Sequence, residues 1–303
     1  IKDTSSTSIY GARASDSVIV ITTRIGRNME KANVSLKAQF GVSSIAYGKW
    51  DLMNTAERIQ YEKETGMDAG QNYELLSQTD VNWLDAVFNR AALLHNYELS
   101  VSGATEKTNY FISGAYYNQD GIYNFGNEKF NSISLRAKGS VEVTKWFKIS
   151  ENAYFFKRKY HQPTVVSGSY VIQRQFDVRA QPVLVPLNED GTTTFAGAAT
   201  CYTAWHNDEA YQENDKLDLI STTTLDFTPI KDVLKISADI TYKAIRSSQL
   251  RLSPMQTGQL SPIATKNYNE YSSSYKSDWR YNTDYIAANV VGTWTPKLGE
   301  KHD

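Results

Sequence analysis

The apolar and polar positions of this chain alternate with a period of two over most of its length. The clearest case runs from Asn131 to Arg158. Ile133, Leu135, Ala137, Gly139, Val141 and Val143 are apolar, and Ser134, Arg136, Lys138, Ser140 and Glu142 lie between them. Only a strand places alternate residues on opposite faces. After Thr144-Lys145-Trp146 the alternation resumes, with Phe147, Ile149, Ala153 and Phe155 on one face and Lys148, Ser150, Asn152 and Tyr154 on the other. The pattern predicts two strands of about 11 residues joined by a tight turn, roughly the length a tilted strand needs to cross a bilayer.

The same pattern recurs along the chain. Val34, Leu36, Ala38, Phe40 and Val42 form a first strand face. Tyr97, Leu99, Val101 and Gly103 form a second, and Tyr110, Ile112, Gly114 and Tyr116 a third. After the opening hairpin come Leu217, Leu219, Ser221, Thr223, Leu225 and Phe227, then Leu234, Ile236, Ala238, Ile240 and Tyr242. The last visible face is Ile286, Ala288, Val290, Gly292 and Trp294, ending at Pro296. Connections after the second, fourth and sixth strands are short. The others are longer, notably Ser43 to His95, Arg158 to Asp215 and Arg246 to about Asn282. A membrane barrel keeps short turns on the periplasmic side and long loops outside. A soluble sandwich has no reason to gather its long loops at one end.

One helix stands out in the first long connection. Asn54-Thr55-Ala56-Glu57 is a capping-box sequence, and the helix it starts is expected to run to about Glu64 and stop at Gly66. Asn188-Glu189-Asp190-Gly191 reads as a turn in the second long connection.

Composition narrows the picture. The 303 residues carry a formal net charge of -1, so charge does not point to nucleic acid or an anionic surface. The single cysteine, Cys201, permits no internal disulfide or cysteine metal cluster and reads as a loop thiol. Mean hydropathy is -0.48, and no apolar run approaches the ~20 residues of a membrane helix. A barrel remains open, because inward-facing residues dilute the hydropathy of every strand. With no signal peptide at the start and a turn-like stretch at Lys297–Asp303, the chain reads as a piece of something longer.

The first residues carry a specific pattern. Lys2, Asp3, Ser5, Ile9, Tyr10, Gly11, Arg13 and Ala14 lead into Val18, Ile19, Ile21, Thr22, Thr23 and Gly26. This resembles the closing segment of the plug domain in TonB-dependent outer-membrane transporters of the SusC/RagA-like branch. Asp16-Ser17 stands where that family usually has Asn-Gly. Leu52–Glu57, the stretch Trp83-Leu84-Asp85 with Phe88, Ser102–Tyr110, and Tyr116–Gly121 resemble further family segments, with Ala104 in place of a second glycine.

The resemblance implies an all-β fold: a transmembrane antiparallel β-barrel, of which this chain supplies about 8 of roughly 22 strands. Residues 1–29 would end the plug and 30–303 would begin the barrel. It implies active import of a large nutrient, a glycan or a peptide, across the outer membrane. The implied partners are a SusD-like surface lipoprotein acting as a lid, the TonB–ExbB–ExbD energising complex and outer-membrane lipid, with a dimer of transporter–lid pairs also allowed. Tyr10, Gly11 and Arg13 are then plug-packing residues. Val34 and Leu36 face lipid, whereas Lys37, Arg136, Lys138 and Glu142 face the lumen.

No catalytic constellation accompanies this pattern. His95, His161, His206 and His302 form no HxxxH or HExxH pair, and no phosphate-binding loop motif occurs. His206, Asp208 and Glu209, beside Tyr202 and Trp205, could form a metal or acid–base site or simply a solvated loop. The reading is a non-enzyme with no cofactor and no metal. Trp146, Phe147 and Trp294 sit where interfacial belts place aromatics. Tyr202, Trp205, Tyr211, Tyr268 and Tyr271, in the long loops, are candidate substrate contacts that could stack on a ligand or pack the loops. Two rival readings are a siderophore- or cobalamin-type TonB-dependent receptor and a soluble all-β carbohydrate-binding protein.

Overall fold

The computed structural model describes residues 31–46, 52–67, 72–164, 205–253 and 274–296, with the short pieces 182–183, 185, 187–190, 194, 257–259 and 268–270. The segment 1–29, including Tyr10, Gly11 and Arg13, lies outside the described residues.

One antiparallel sheet dominates. Its strands are β1 (Asn33–Ser43), β2 (Ala92–Ala104), β3 (Thr108–Asp120), β4 (Lys129–Thr144), β5 (Phe147–Pro163), β6 (Tyr211–Ile230) and β7 (Leu234–Ser253), closed by β10 (Tyr275–Trp294). They are ordered β1-β2-β3-β4-β5-β6-β7-β10, so β1 to β6 each pair with the next strand in the chain and β7 pairs with β10. The short strands β8 (Thr257–Gln259) and β9 (Tyr268–Glu270) pair apart, in the connection between β7 and β10. Strand length rises across the sheet, from 11 residues in β1 to 16 in β4 and 20 in β6, β7 and β10.

The short turns fall at one end. Thr105 and Thr108 close the β2–β3 turn through backbone and hydroxyl bonds. Val233 N–H donates to the Ile230 carbonyl in the β6–β7 turn, where Asp232 takes a positive φ of 60°. An aromatic girdle marks this end. Phe147 and Phe227 stack with centroids 4.6 Å apart, and Trp146 lies against both rings. Trp294 is 72% exposed at the foot of β10.

Register settles which side chains share a face. Phe155, Leu219 and Ala244 share one cross-strand row, Ile149, Leu225, Ala238 and Val290 another. This apolar face is uncovered: Leu36 is 72% exposed, Ile286 72% and Val290 74%. Exposure of that much contiguous apolar surface marks contact with lipid or with another protein. The ten steps from Trp294 up to Asp284 rise about 33 Å along the strand, roughly 25 Å after tilt, the height of an outward apolar band.

The strands are longer than alternation alone suggests. Residues 246–253 and 275–282, expected as loop, are paired strand. So are Lys159 to Pro163 and Tyr211 to Asp215. Above the apolar band both faces are wet, so polar side chains occupy both parities and the period-2 signal vanishes while the hydrogen-bonded ladder continues.

The helical insertion forms as its caps require. Helix α1 (Thr55–Thr65) begins with the Asn54–Glu57 capping box and ends at Gly66, whose φ of 68° suits a residue without Cβ. Two short helices follow, α2 (Tyr73–Leu76) and α3 (Trp83–Val87), each capped by an Asn side chain. Asp80 accepts from the Thr55 amide, tying the start of α1 to the approach to α3.

Candidate functional site: the inner wall and its outer rim

The polar parity of the sheet forms a second, inward wall. Its half nearest the short turns is charged and hydroxylated. Lys235 Nζ lies 2.9 Å from Asp226, which also accepts from Ser237, and Thr224 donates to Asp239 at 2.6 Å. Arg136 stacks over the Tyr154 ring, 4.9 Å from its centroid. Lys37 pairs with Glu98 across β1 and β2. Arg136, Lys138 and Glu142 share this face with Lys37, as the alternation requires.

Higher on the same wall the character changes. A groove of about 520 Å³ opens between Asn96, Tyr117, Gln119, Phe130, Ser134 and Phe156. No charged side chain lines it. The Tyr117 hydroxyl donates to Gln119 Oε1 at 2.7 Å, and both residues line the groove. Phe130 meets Tyr117 edge to face at 5.8 Å and tilts against Tyr160 at 6.2 Å. Aromatic faces beside amide and hydroxyl groups suit a neutral, partly apolar ligand. The aromatics of this wall were not among the residues expected to touch substrate. The available signal was their parity: Tyr117, Phe130 and Phe156 stand on the polar side of strands whose other side faces out.

A small core caps the rim. Trp83, Val87, Phe88, Phe125, Trp205 and Ala210 cluster there, drawn from α3, the β3–β4 connection and the approach to β6. Phe125 and Trp205 stack at 5.3 Å with planes 11° apart. Asn124 donates to the Asp85 and Phe88 carbonyls, fastening the β3–β4 connection to α3. Gly126 and Asn127 both take positive φ in that connection. Burial, and then the nearby Glu128 carboxylate, push the Tyr123 phenol above its usual range, so it stays protonated.

The expected loop contacts divide. Trp205 is fully buried and its indole N–H donates to the Thr164 carbonyl at 2.6 Å, so it packs the rim and offers no face to a ligand. Tyr211 stacks on His161 at 4.8 Å and pairs with Pro163, on the outward parity. It therefore stands away from the inner groove. Tyr268 lies in β9, and Tyr202 and Tyr271 lie outside the described residues. Asp208 binds His161, 2.8 Å away, and Asn127, two residues outside the expected His206, Asp208, Glu209 grouping. Among the described residues, no three His, Cys, Asp or Glu side chains converge as metal ligands.

Comparison with known proteins bears on these walls. No family model matches the chain. It is 30% identical over 159 residues to the TonB-dependent receptor SusC of Bacteroides thetaiotaomicron, covering 52% of this chain and 15% of that protein. It is 29% identical over 155 residues to a TonB-dependent receptor of Formosa agariphila, covering 51% of this chain and 14% of that one. Over about half of its length the chain is similar in sequence to SusC-type TonB-dependent receptors. Solved structures agree on the fold. The RagAB peptide importer in its open-open state superposes with a TM-score of 0.63 at 18% identity, covering 97% of this chain and 43% of that one. A second structure of the RagAB peptide transporter gives 0.63 at 17%, covering 95% and 43%. Matches thus span a small part of each curated relative and less than half of each solved chain. The superposition places the chain's sheet on a stretch of barrel wall in those structures.

Proposed function

We propose that the chain is the first part of the barrel of an outer-membrane importer that takes up a large nutrient, an oligosaccharide or a peptide, by gated binding and release. The observation that carries this is the two-faced sheet. One face is a bare apolar band about 25 Å tall with an aromatic girdle, and the other is a polar wall. All short turns lie at one end, and the helices and the aromatic rim lie at the other. Residues 1–29 end a plug inside the barrel, and 30–303 begin the wall around it. Energy comes from TonB with ExbB and ExbD, because transport against a gradient needs a source and the family couples to that complex. A SusD-like surface lipoprotein closes the mouth over the inner groove. The upper groove holds a neutral section of the substrate, and the charged lower wall faces the plug. No covalent step is part of the cycle.

The test uses the full-length protein in its native host. Expected results are extraction only with detergent, co-purification of a surface lipoprotein, and uptake that stops when TonB is removed. Purification without any lipoprotein would favour a siderophore- or cobalamin-type receptor. A protein that dissolves without detergent would overturn the barrel itself.

A further inference from the structure

The outward face does not end abruptly where its apolar band stops. The row Phe155, Leu219, Ala244 is the last apolar one. The next row up holds Lys157, Leu217, Arg246 and Asn282, and the one above it Lys159, Asp215, Ser248 and Arg280. Between them lies a groove of about 290 Å³, lined by Lys157, Arg246, Arg280, Asp215, Ser248 and Leu217. Adjacent strands are about 4.8 Å apart, so Lys157 and Arg246 flank Leu217 at a distance that one small anion can bridge.

The charges of the groove are unequal. Four cations, Lys157, Lys216, Arg246 and Arg280, line it with one carboxylate, Asp215; Lys216 is of the inward parity and pairs with Asp218, which leaves three on the outward side. Arg246 is held by Asp284 and Arg280 by Asp278, which orients both guanidinium groups and partly balances them. Among the described residues Lys157 forms no ion pair, and it is exposed, so its ammonium carries the least compensated charge of the groove. Ser248 and Asn282 add neutral donors. The floor, Leu217, continues downward into Leu219 and Phe155, an apolar track parallel to the strands.

We infer that this groove binds the phosphate of an outer-leaflet lipid, whose acyl chain lies along Leu217, Leu219 and Phe155. A guanidinium and an ammonium on either side of an apolar floor match a group that is anionic at its head and hydrocarbon below. At this height a charge facing the bilayer costs little, so cations can stand there. The inference rests on the reading of the chain as an outer-membrane barrel.

The experiment places the full-length transporter in nanodiscs containing bis-phosphorylated lipid A or the same glycolipid after dephosphorylation. Retained lipid is counted by native mass spectrometry after mild delipidation. The phosphorylated form should be retained preferentially, and Lys157→Gln and Arg280→Gln should each weaken retention roughly fivefold. Lys148→Gln, on the inward face, should leave it unchanged and reports on folding. Equal retention of the two glycolipids, or wild-type retention by both outward variants, would overturn the site. Displacement of the lipid by inorganic phosphate alone would identify a free-anion site and overturn the lipid assignment. If neither glycolipid is retained by a protein that still needs detergent, this inference fails alone. If the protein needs no detergent, the barrel reading fails with it.

Discussion

Thr223 donates its hydroxyl to Glu151 Oε2 at 2.6 Å on the outward face of the sheet, directly across β5 and β6. Ser221 completes the arrangement by donating to Oε1 at 2.7 Å. Glu151 stands in the row of Ile240 and Ala288, well inside the apolar band, opposite the bare Gly139. The two hydroxyls give the carboxyl group the partners that lipid does not. Thr223→Val should therefore destabilise the full barrel by about 1–2 kcal/mol in chemical unfolding from micelles, because it leaves an acceptor unmatched. Glu151→Leu combined with Thr223→Val should recover most of that loss, since removing both partners removes the mismatch. A double variant weaker than the single one would show that the carboxyl group has another role.

Depth labels separate the two faces. A fluorophore at Leu135, 52% exposed, or at Ile149 should be quenched by brominated lipid. The same label at Arg136 or Lys138 should respond to an aqueous quencher instead. Inverted results would put the wall inside out. Trp146 and Trp294 should be quenched most strongly by bromines placed near the headgroups, as belt residues are.

The rim core predicts a local loss. Trp205→Ala removes the ring that stacks on Phe125 and the donor to Thr164. Truncating a buried Trp costs about 3–5 kcal/mol, but here the cost should fall on the cluster of Trp83, Val87 and Phe125 and spare the sheet. Limited proteolysis should cut the β3–β4 connection and the helical insertion faster, while the barrel keeps its resistance to heat in detergent. Equal protection of the rim in the variant would count against this core.

The inner groove predicts a change in uptake without a change in assembly. Phe156→Ala and Gln119→Ala should each lower apparent substrate affinity by several fold, about 1 kcal/mol for a lost contact. Tyr211→Ala should have a smaller effect, because that ring lies on the outward parity against His161. A larger effect at Tyr211 than at Phe156 would move the substrate path out of this groove.

Period two was readable wherever one face met an apolar surface, as from Val34 to Val42 or Ile133 to Val143. The capping box at Asn54 was readable because a cap is a local hydrogen-bonding arrangement that needs no tertiary partner. The outer halves of β5, β6, β7 and β10 were not. From Lys157 upward neither face is dry, so Arg246 to Ser253 looks like loop although each residue is paired. Long-range geometry decides the aromatic roles. Nothing adjacent to Trp205 in sequence announces that Phe125, 80 positions away, covers it. Nor can the outward parity of Tyr211 be seen until its strand is known to begin there. The proposed plug and partners come from the family resemblance, which periodicity could not reach.

The growth in strand length from β1 to β6 gives the mouth of this wall a slope. Nine additional residues are about 30 Å of extra strand, so the β6 to β10 side stands as a parapet and the β1 to β2 side as a sill. The helices of the insertion lie between β1 and β2 in the chain, and the buried Trp205 indole is fastened at the head of β5 and β6. A cover resting on such an uneven rim has one direction in which tilting clears the opening soonest. Under the proposed import, cargo arriving from outside would meet a ramp, with the aromatic groove on the inner wall below it.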